Sequence, residues 1–313
     1  MANRRTSTRQ DKAAISAEII NTDTNKYLDI LIQKGNKFQL ILTSPPYNMG
    51  KEYESVEPIN SYLQEIEKVI DKLVALLDDD GSICWQVGNY IDQKTKEIVP
   101  LDIFYYSIFK KHNLFLRNRI IWHFEHGLHS RNRFSGRYET ILWFSKSDKY
   151  TFNLDNVRVP SKYPGKTYYK GDKKGEYSGN PLGKNPADVW KIVKQDWDNE
   201  VWEIPNVKAN HKEKTYHPCQ YPIELAERCI LALSNIGDTV LDPYVGVGST
   251  VIAAFKNGRN SVGLEKDKQY VKIAKERLKS LQKGELKIRE IGTPIFVPTN
   301  KLAVAKKPAH FLY

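Results

Sequence analysis

The 313-residue chain predicts an α/β fold: a doubly wound, mostly parallel Rossmann-like sheet with helices on both faces and one inserted lobe. Three observations lead there. Short apolar runs such as 38–42 (FQLIL), 82–88 (SICWQVG) and 261–265 (SVGLE) alternate with segments of helical period. The run 38–42 leads straight into a proline loop and the run 239–241 (TVL) into a glycine loop, where open α/β sheets place their chemistry. The stretch 153–216 breaks the alternation with Lys, Gly, Pro, Tyr and Trp and little period, as an insertion does.

The elements follow in order. Residues 1–17 are polar and basic without apolar period and are expected to form a disordered arm. The run 38–42 is strand-like and ends in TSPPYN, where two prolines forbid both a helix and a central strand, so the motif sits in a loop. Tyr62, Ile66, Val69, Ile70, Leu73 and Leu77 mark one face of a helix over 61–77. DDDG at 78–81 then predicts a turn before the strand SICWQVG. A second unit pairs a helix over 100–111 with the strand RNRIIWHF. Residues 123–137 string histidines and arginines around Gly127 and Gly136 before ETILWFS resumes strand character, which predicts a mobile basic loop, or more simply a hairpin connection. After the lobe, Leu225, Cys229 and Leu233 space a helix over 222–234. The stretch 237–250 (GDTVLDPYVGVGST) gives a strand and a glycine loop, 251–257 a helix, SVGLE a strand, and 267–282 a basic amphipathic helix. The tail to Tyr313 carries β-like patches between prolines.

Composition narrows the classes. The net charge of +11 favours a polyanionic partner. Three cysteines without C-x-x-C spacing argue against a disulfide framework and a zinc site, and no metal is expected. No early segment resembles a secretory signal and no run reaches the length of a membrane span, so a cytoplasmic prokaryotic protein without membrane contact is expected.

Asp242-Pro243-Tyr244-Val245-Gly246-Val247-Gly248-Ser249-Thr250 joins a strand to a helix, the position at which an open α/β sheet binds an adenosine-type cofactor. Glu265 ends the next strand and suits an acid that accepts hydrogen bonds from ribose hydroxyls. The G-x-G-x-x-G fingerprint of nicotinamide enzymes fails, because its third glycine position holds Val251. Ser44-Pro45-Pro46-Tyr47 offers a hydroxyl, a backbone carbonyl followed by a residue without N–H, and an aromatic ring on a rigid turn. That set suits an amino group on a stacked base: two acceptors on its hydrogens would draw the delocalised nitrogen toward sp3 geometry, leaving positioning and electrostatics to do most of the catalysis.

Together, TSPPYN and DPYVGVGST resemble the amino-methylating DNA methyltransferases, N4-cytosine and N6-adenine, in the group where the catalytic motif precedes the cofactor motif. The resemblance extends through GSICWQVG, RYETILWFSK and HPCQYP (217–222). It implies a methyltransferase sheet, S-adenosylmethionine as cofactor and double-stranded DNA as partner. It further implies a cofactor site shaped by Asp242, Pro243, Tyr244, Gly246, Gly248, Ser249 and Glu265, with Gln220 and Pro222 near methionine. Asp23 is the candidate acid for the adenine end, although the family more often has glycine where this chain has Thr22. Ser44, Pro45, Pro46 and Tyr47 would hold a base flipped out of the duplex, at a cost of a few kcal/mol offset by stacking and hydrogen bonds. His126, His129, Arg131 and Arg133 are candidates to hold the distorted DNA backbone or fill the gap.

Serine at the head of the tetrapeptide resembles enzymes making N4-methylcytosine, whereas aspartate or asparagine there is commoner in those making N6-methyladenine. Cytosine N4 is therefore expected, with adenine N6 as the alternative and a catalytically silent DNA-binding subunit as the reading from another class. A type II restriction-modification setting, with a cognate endonuclease encoded nearby and the methylase a monomer or homodimer, is what the resemblance implies. The expected organisation is a catalytic half over 18–152, a target-recognition lobe over 153–216, a cofactor half over 217–285 and a tail over 286–313. Within the lobe, Tyr163, Tyr168, Tyr169 and Tyr177 are interleaved with lysines. Trp190, Trp197 and Trp202 are expected to form its core, with 166–174 exposed.

Overall fold

A computed structural model describes residues 14–48, 50, 56–92, 94–124, 129–190, 207 and 211–289. The basic arm to residue 13, His126, Trp197, Trp202 and the tail from 290 lie outside them.

The chain enters through β1 (Ala17–Asn21), α1 (Thr24–Gln33) and β2 (Phe38–Thr43), followed by α2 (Ile59–Leu76), β3 (Leu77–Val87) and the small antiparallel pair β4 (Asn89–Ile91) and β5 (Ile98–Pro100). Next come α3 (Leu101–Lys111), β6 (Phe115–His123), β7 (Tyr138–Ser145), a short 3-10 turn at Leu154–Val157 and β8 (Val189–Trp190). The last third supplies α4 (Ile223–Leu233), β9 (Thr239–Asp242), α5 (Ser249–Lys256), β10 (Asn260–Glu265) and α6 (Lys268–Gln282). The eight-stranded sheet runs β1-β10-β9-β2-β3-β7-β6-β8, and β7 alone is antiparallel to its neighbours. This is the mostly parallel, doubly wound sheet that the alternation predicts.

Helices cover both faces, so the central strands are apolar on both sides. Ile83 and Trp85 of β3, with Leu142 and Phe144 of β7, face the core under α1, α2 and α3. Cys84, Ile141 and Trp143 face the core under α4 and α5. Tyr105 and Phe109 of α3 meet Trp85 edge-on, with ring centroids 5.5 and 5.6 Å away, the arrangement favoured by ring quadrupoles.

Several elements depart from the sequence reading. β1 and α1 were not expected. DDDG forms no isolated turn: β3 starts directly after α2 and runs through it, with a register shift between Phe38 and Leu40 on β2. Gly81 makes that approach possible, because a Cβ there would lie 2.9 Å from Leu77 Cδ1 and 3.1 Å from the Gln39 carbonyl. β6 and β7 form an antiparallel pair that runs up to His123 and Tyr138, the hairpin alternative for this stretch. The stretch 153–190, which opens the expected lobe, is tied to the sheet domain at both ends. Asn153 N–H donates to the Ala232 carbonyl at 2.7 Å, β8 extends the sheet beside β6, and Trp190 is buried in the α4-side core rather than in a core of the lobe. Residues 161–177 are exposed except Ser161, and Tyr163, Tyr169 and Tyr177 are among the most exposed large side chains.

Candidate active site

The sheet's connections reverse direction between β2 and β9. From β2 the chain crosses through α2 to β3 on one side, and from β9 through α5 to β10 on the other. Such a switch point opens a crevice at the carboxyl ends of the strands. The SPPY loop leaves β2 and the glycine loop leaves β9, so residues about two hundred positions apart border one cavity of about 210 Å³. Ser44, Pro45, Pro46 and Tyr47 line it from one side. Asp23, Gln220, Tyr244, Gly246, Ser249 and Glu265 line it from the other.

The cofactor side is held by the turn between β1 and α1. Asn21 Nδ2 donates to the Glu265 and Lys266 carbonyls at 3.0 and 2.9 Å, and Thr24 Oγ1 donates to the Pro243 carbonyl at 2.7 Å. Asp23 is the N-cap of α1, its Oδ1 accepting the Lys26 N–H at 3.1 Å. Glu265 accepts the Gly246 N–H at 3.1 Å and the Asp267 N–H at 2.8 Å. Burial raises its carboxyl above the usual range and those amides oppose the rise. Gly246 has φ +50 and Gly248 φ +90, left-handed backbone that glycine adopts without penalty. A Cβ on Gly248 would sit 3.2 Å from Ala274 Cβ, so this glycine also lets α5 pack on α6.

Asp242, Pro243, Pro222 and Gly248 do not line the cavity. Asp242 lies beneath it, fully buried, and its carboxylate collects four donors: Thr43 Oγ1 at 2.7 Å, Thr250 Oγ1 at 2.5 Å, Tyr221 OH at 3.1 Å and the Tyr244 N–H at 3.1 Å. Burial pushes this carboxyl up and the donors pull it down. It thereby ties the catalytic strand, the cofactor loop, α5 and the 217–222 segment to one atom pair. Gln220 borders the cavity, but its amide is engaged inside its own loop. Its Oε1 accepts from Thr215 Oγ1 at 2.7 Å and its Nε2 donates to the Glu213 carbonyl at 2.8 Å. Pro222 is the residue before α4.

On the catalytic side Ser44 Oγ and Tyr47 OH are 2.9 Å apart. The Pro46 carbonyl is occupied by Tyr62 OH at 2.6 Å, whereas no described residue donates to the Pro45 carbonyl. Asn48 is buried with φ +60, and its amide pairs with the Glu57 backbone in both directions, at 2.7 and 2.8 Å. That pairing closes the loop after the motif. Gly88 gives Tyr47 its seat: a Cβ would lie 3.1 Å from the ring and 3.5 Å from Glu139 Oε1. Glu139 accepts from the buried Gln86 amide.

His217 also borders the cavity and was not singled out individually in the sequence. Its Nδ1 accepts the Cys219 N–H at 3.1 Å, its ring lies 4.5 Å from Tyr270, and burial lowers its pKa to about 4. The neutral ring therefore carries its proton on Nε2. The signal was present, since H-P-C-Q-Y-P sits just before α4, yet a histidine among prolines has no periodicity to fix its side. His129, Arg131 and Arg133 are exposed on the β6–β7 connection, away from the cavity lining.

The family model described as DNA methylase, N6/N4 type, matches residues 38–276. The type II methyltransferase M.BglII of Bacillus subtilis is 45% identical over 258 residues, covering 82% of this chain and 67% of that protein. M.ScaI of Streptomyces caespitosus is 36% identical over 245 residues, covering 78% and 75%. Among solved structures, the PvuII DNA methyltransferase (cytosine-N4-specific) aligns with a TM-score of 0.59 at 18% identity, over 87% of this chain and 94% of that one, which establishes likeness of fold. A sheet with its switch point between two motif loops, and relatives matched along most of their length, lead to one conclusion: the chain belongs to the N6/N4 DNA methylase family.

Proposed function

We propose that the chain transfers the methyl group of S-adenosylmethionine to the N4 amino group of cytosine in double-stranded DNA. The observation that carries this reading is the meeting of Ser44 Oγ and the Pro45 carbonyl with Gly246 and Glu265 around one cavity. The residues fit the cofactor. Glu265 offers acceptor lone pairs for ribose hydroxyls, Asp23 lies at the same edge, and Gly246 leaves the backbone open to close approach. When bound, the cofactor supplies an electrophilic methyl on a sulfonium.

The remaining work belongs to the chain. Ser44 Oγ and the Pro45 carbonyl accept the two amino hydrogens, which concentrates the nitrogen's lone pair and aims it across the cavity. Tyr47, backed by Gly88, gives the extruded base a face to stack on and returns part of the cost of flipping. Thr43, bonded to Asp242, sets the distance between the two loops. His129, Arg131 and Arg133 anchor DNA phosphates beside the opening. The exposed Lys–Tyr stretch 163–177 contributes to target recognition. A cognate endonuclease encoded nearby is the expected functional counterpart of such a methylase.

The test is product identity. The protein is incubated with S-adenosylmethionine and unmethylated DNA, the DNA is digested to nucleosides, and methylated products are identified by mass spectrometry. N4-methylcytosine is the expected product. N6-methyladenine would retain the chemistry and overturn the base assignment drawn from Ser44. Neither product would overturn the activity.

A further inference from the structure

Among the described residues of the loop joining β6 and β7, Phe134 is a large apolar side chain that the fold does not use. Phe134 is fully exposed, the most exposed of the large hydrophobic residues among those described. It sits between exposed Arg133 and half-buried Ser135, with exposed Arg131 close by. The turn that presents it is closed by its own side chains: Ser130 N–H donates to Ser135 Oγ at 3.0 Å, and Ser130 Oγ donates to Asn132 Oδ1 at 3.2 Å. An aromatic ring held out in water on a closed turn gains nothing for folding.

Its location is defined by the strand that follows. Glu139, five residues on, lies against Gly88, the same glycine that seats the Tyr47 ring. Five residues span at most about 17 Å, so Phe134 stands within that reach of the residue beside the base site. The loop leaves the carboxyl end of β6, which runs parallel to β2 and β9, so it projects from the same edge of the sheet as the SPPY and glycine loops. Arg131 and Arg133, cationic and suited to phosphates, stand beside this apolar plane on the same edge of the sheet as the cavity.

We propose that Phe134 is the wedge that enters the base stack when the target nucleotide is extruded, with Arg131 and Arg133 gripping the phosphates on either side. Apolar side chains that unstack a base step and hold a distorted duplex act in this manner in other DNA-binding proteins, and a ring stacking on the exposed neighbouring bases replaces the lost stacking of the departed one. Phe134 is thus a positioning residue: it acts on the DNA so that the base can reach Ser44 and Tyr47. The inference rests on the DNA reading given above.

The test separates extrusion from chemistry. The recognition site is first mapped from the methylated positions in DNA treated with the wild-type protein. Duplexes are then made with 2-aminopurine beside the target base, in a matched form and in a form whose target is mispaired and already weakly stacked. For Phe134→Ala the 2-aminopurine signal and the methylation rate on the matched duplex are expected to fall on the order of tenfold. The mispaired duplex is expected to recover most of that loss, because less stacking has to be broken. Phe134→Trp keeps the aromatic plane and is expected to retain the signal. Equal loss on both duplexes, or no loss on the matched one, overturns the wedge. A wild-type protein that methylates neither duplex overturns the reading of the site itself, which is distinguishable because it does not depend on residue 134.

Discussion

Replacing Thr43 by valine tests whether the buried Asp242 carboxylate couples the two halves of the site. Thr43 is fully buried and its hydroxyl donates to Asp242 Oδ1 at 2.7 Å. Valine keeps the shape, so no cavity adds to the cost. A hydrogen bond to a charged group contributes about 1.5–3 kcal/mol. Three donors remain on Asp242 after the change, so the carboxylate is not orphaned and the lower end applies, about 1.5–2 kcal/mol. Thr250→Val removes a donor from the other oxygen, Oδ2. The double variant leaves Asp242 with only Tyr221 OH and the Tyr244 N–H, both at 3.1 Å, so the two losses should exceed their sum by about 0.5–1 kcal/mol. Urea unfolding of the wild type, the two single variants and the double variant, in the absence of cofactor, measures this directly. Additivity within about 0.3 kcal/mol, or a Thr43→Val cost below about 0.5 kcal/mol, would refute the argument that one carboxylate holds both loops in register.

Three further outcomes are expected. Glu265→Ala frees the Gly246 and Asp267 amides and removes the acceptor facing the cavity, so cofactor affinity measured by calorimetry should fall about tenfold or more. Gly88→Ala places a methyl 3.1 Å from the Tyr47 ring and should lower turnover several-fold while leaving cofactor affinity unchanged; a proportional loss of both would contradict its assignment to the base side. Burial holds His217 and His211 at pKa values of about 4, against 6.5 for the free side chain. As pH falls from about 6.5 to 4 the unfolded chain takes up protons that the folded one refuses, so stability is full above that window and declines through it. Melting temperatures at pH 7.5, 6 and 5 should show this decline. His217→Phe, which keeps a ring against Tyr270, should flatten it in part, and an unaltered slope would count against His217 as a contributor.

Legibility in the sequence followed the physics of burial. Strands buried on both faces read as unbroken apolar runs, so β2, β3, β9 and β10 were evident, as were helices with a wide apolar face such as α2. β1 escaped because it is a five-residue edge strand with one fully buried position, and α1 because only Leu28 and Leu31 are buried. The apparent turn at 78–81 is a bulge inside a strand: Leu77 and Ser82 pair with Phe38 and Leu40 of β2, and the three aspartates and the glycine between them have no register partner there. Trp190 was assigned to the lobe because it lies within a stretch of irregular composition; pairing with β6, a contact across nearly seventy residues, places it in the main core. The two motif loops border one cavity, as their places after β2 and β9 lead one to expect, but the arrangement within it was not legible. Asp242 heads the cofactor motif and still lies below the cavity, and the Gln220 amide is spent on its own loop. Such roles depend on side-chain contacts across the sheet that spacing does not encode.

The coupling of the loops explains how so much sequence can lie between them. Thr43 and Asp242 are 199 positions apart, but they meet because β2 and β9 are neighbours, and their hydrogen bond makes loop separation a property of two adjacent strands. The intervening stretch is fastened to α4 at Asn153 and joins the sheet at β8 beside β6. With both ends anchored in the sheet domain, residues 161–177 can change length and composition without moving Ser44 relative to Gly246. The β6–β7 connection is anchored in the same way by His123 and Tyr138. The fold therefore fixes the spacing of Ser44 and Gly246 through two adjacent strands, while the exposed basic and aromatic segments at 129–133 and 163–177 can vary in sequence without disturbing that spacing.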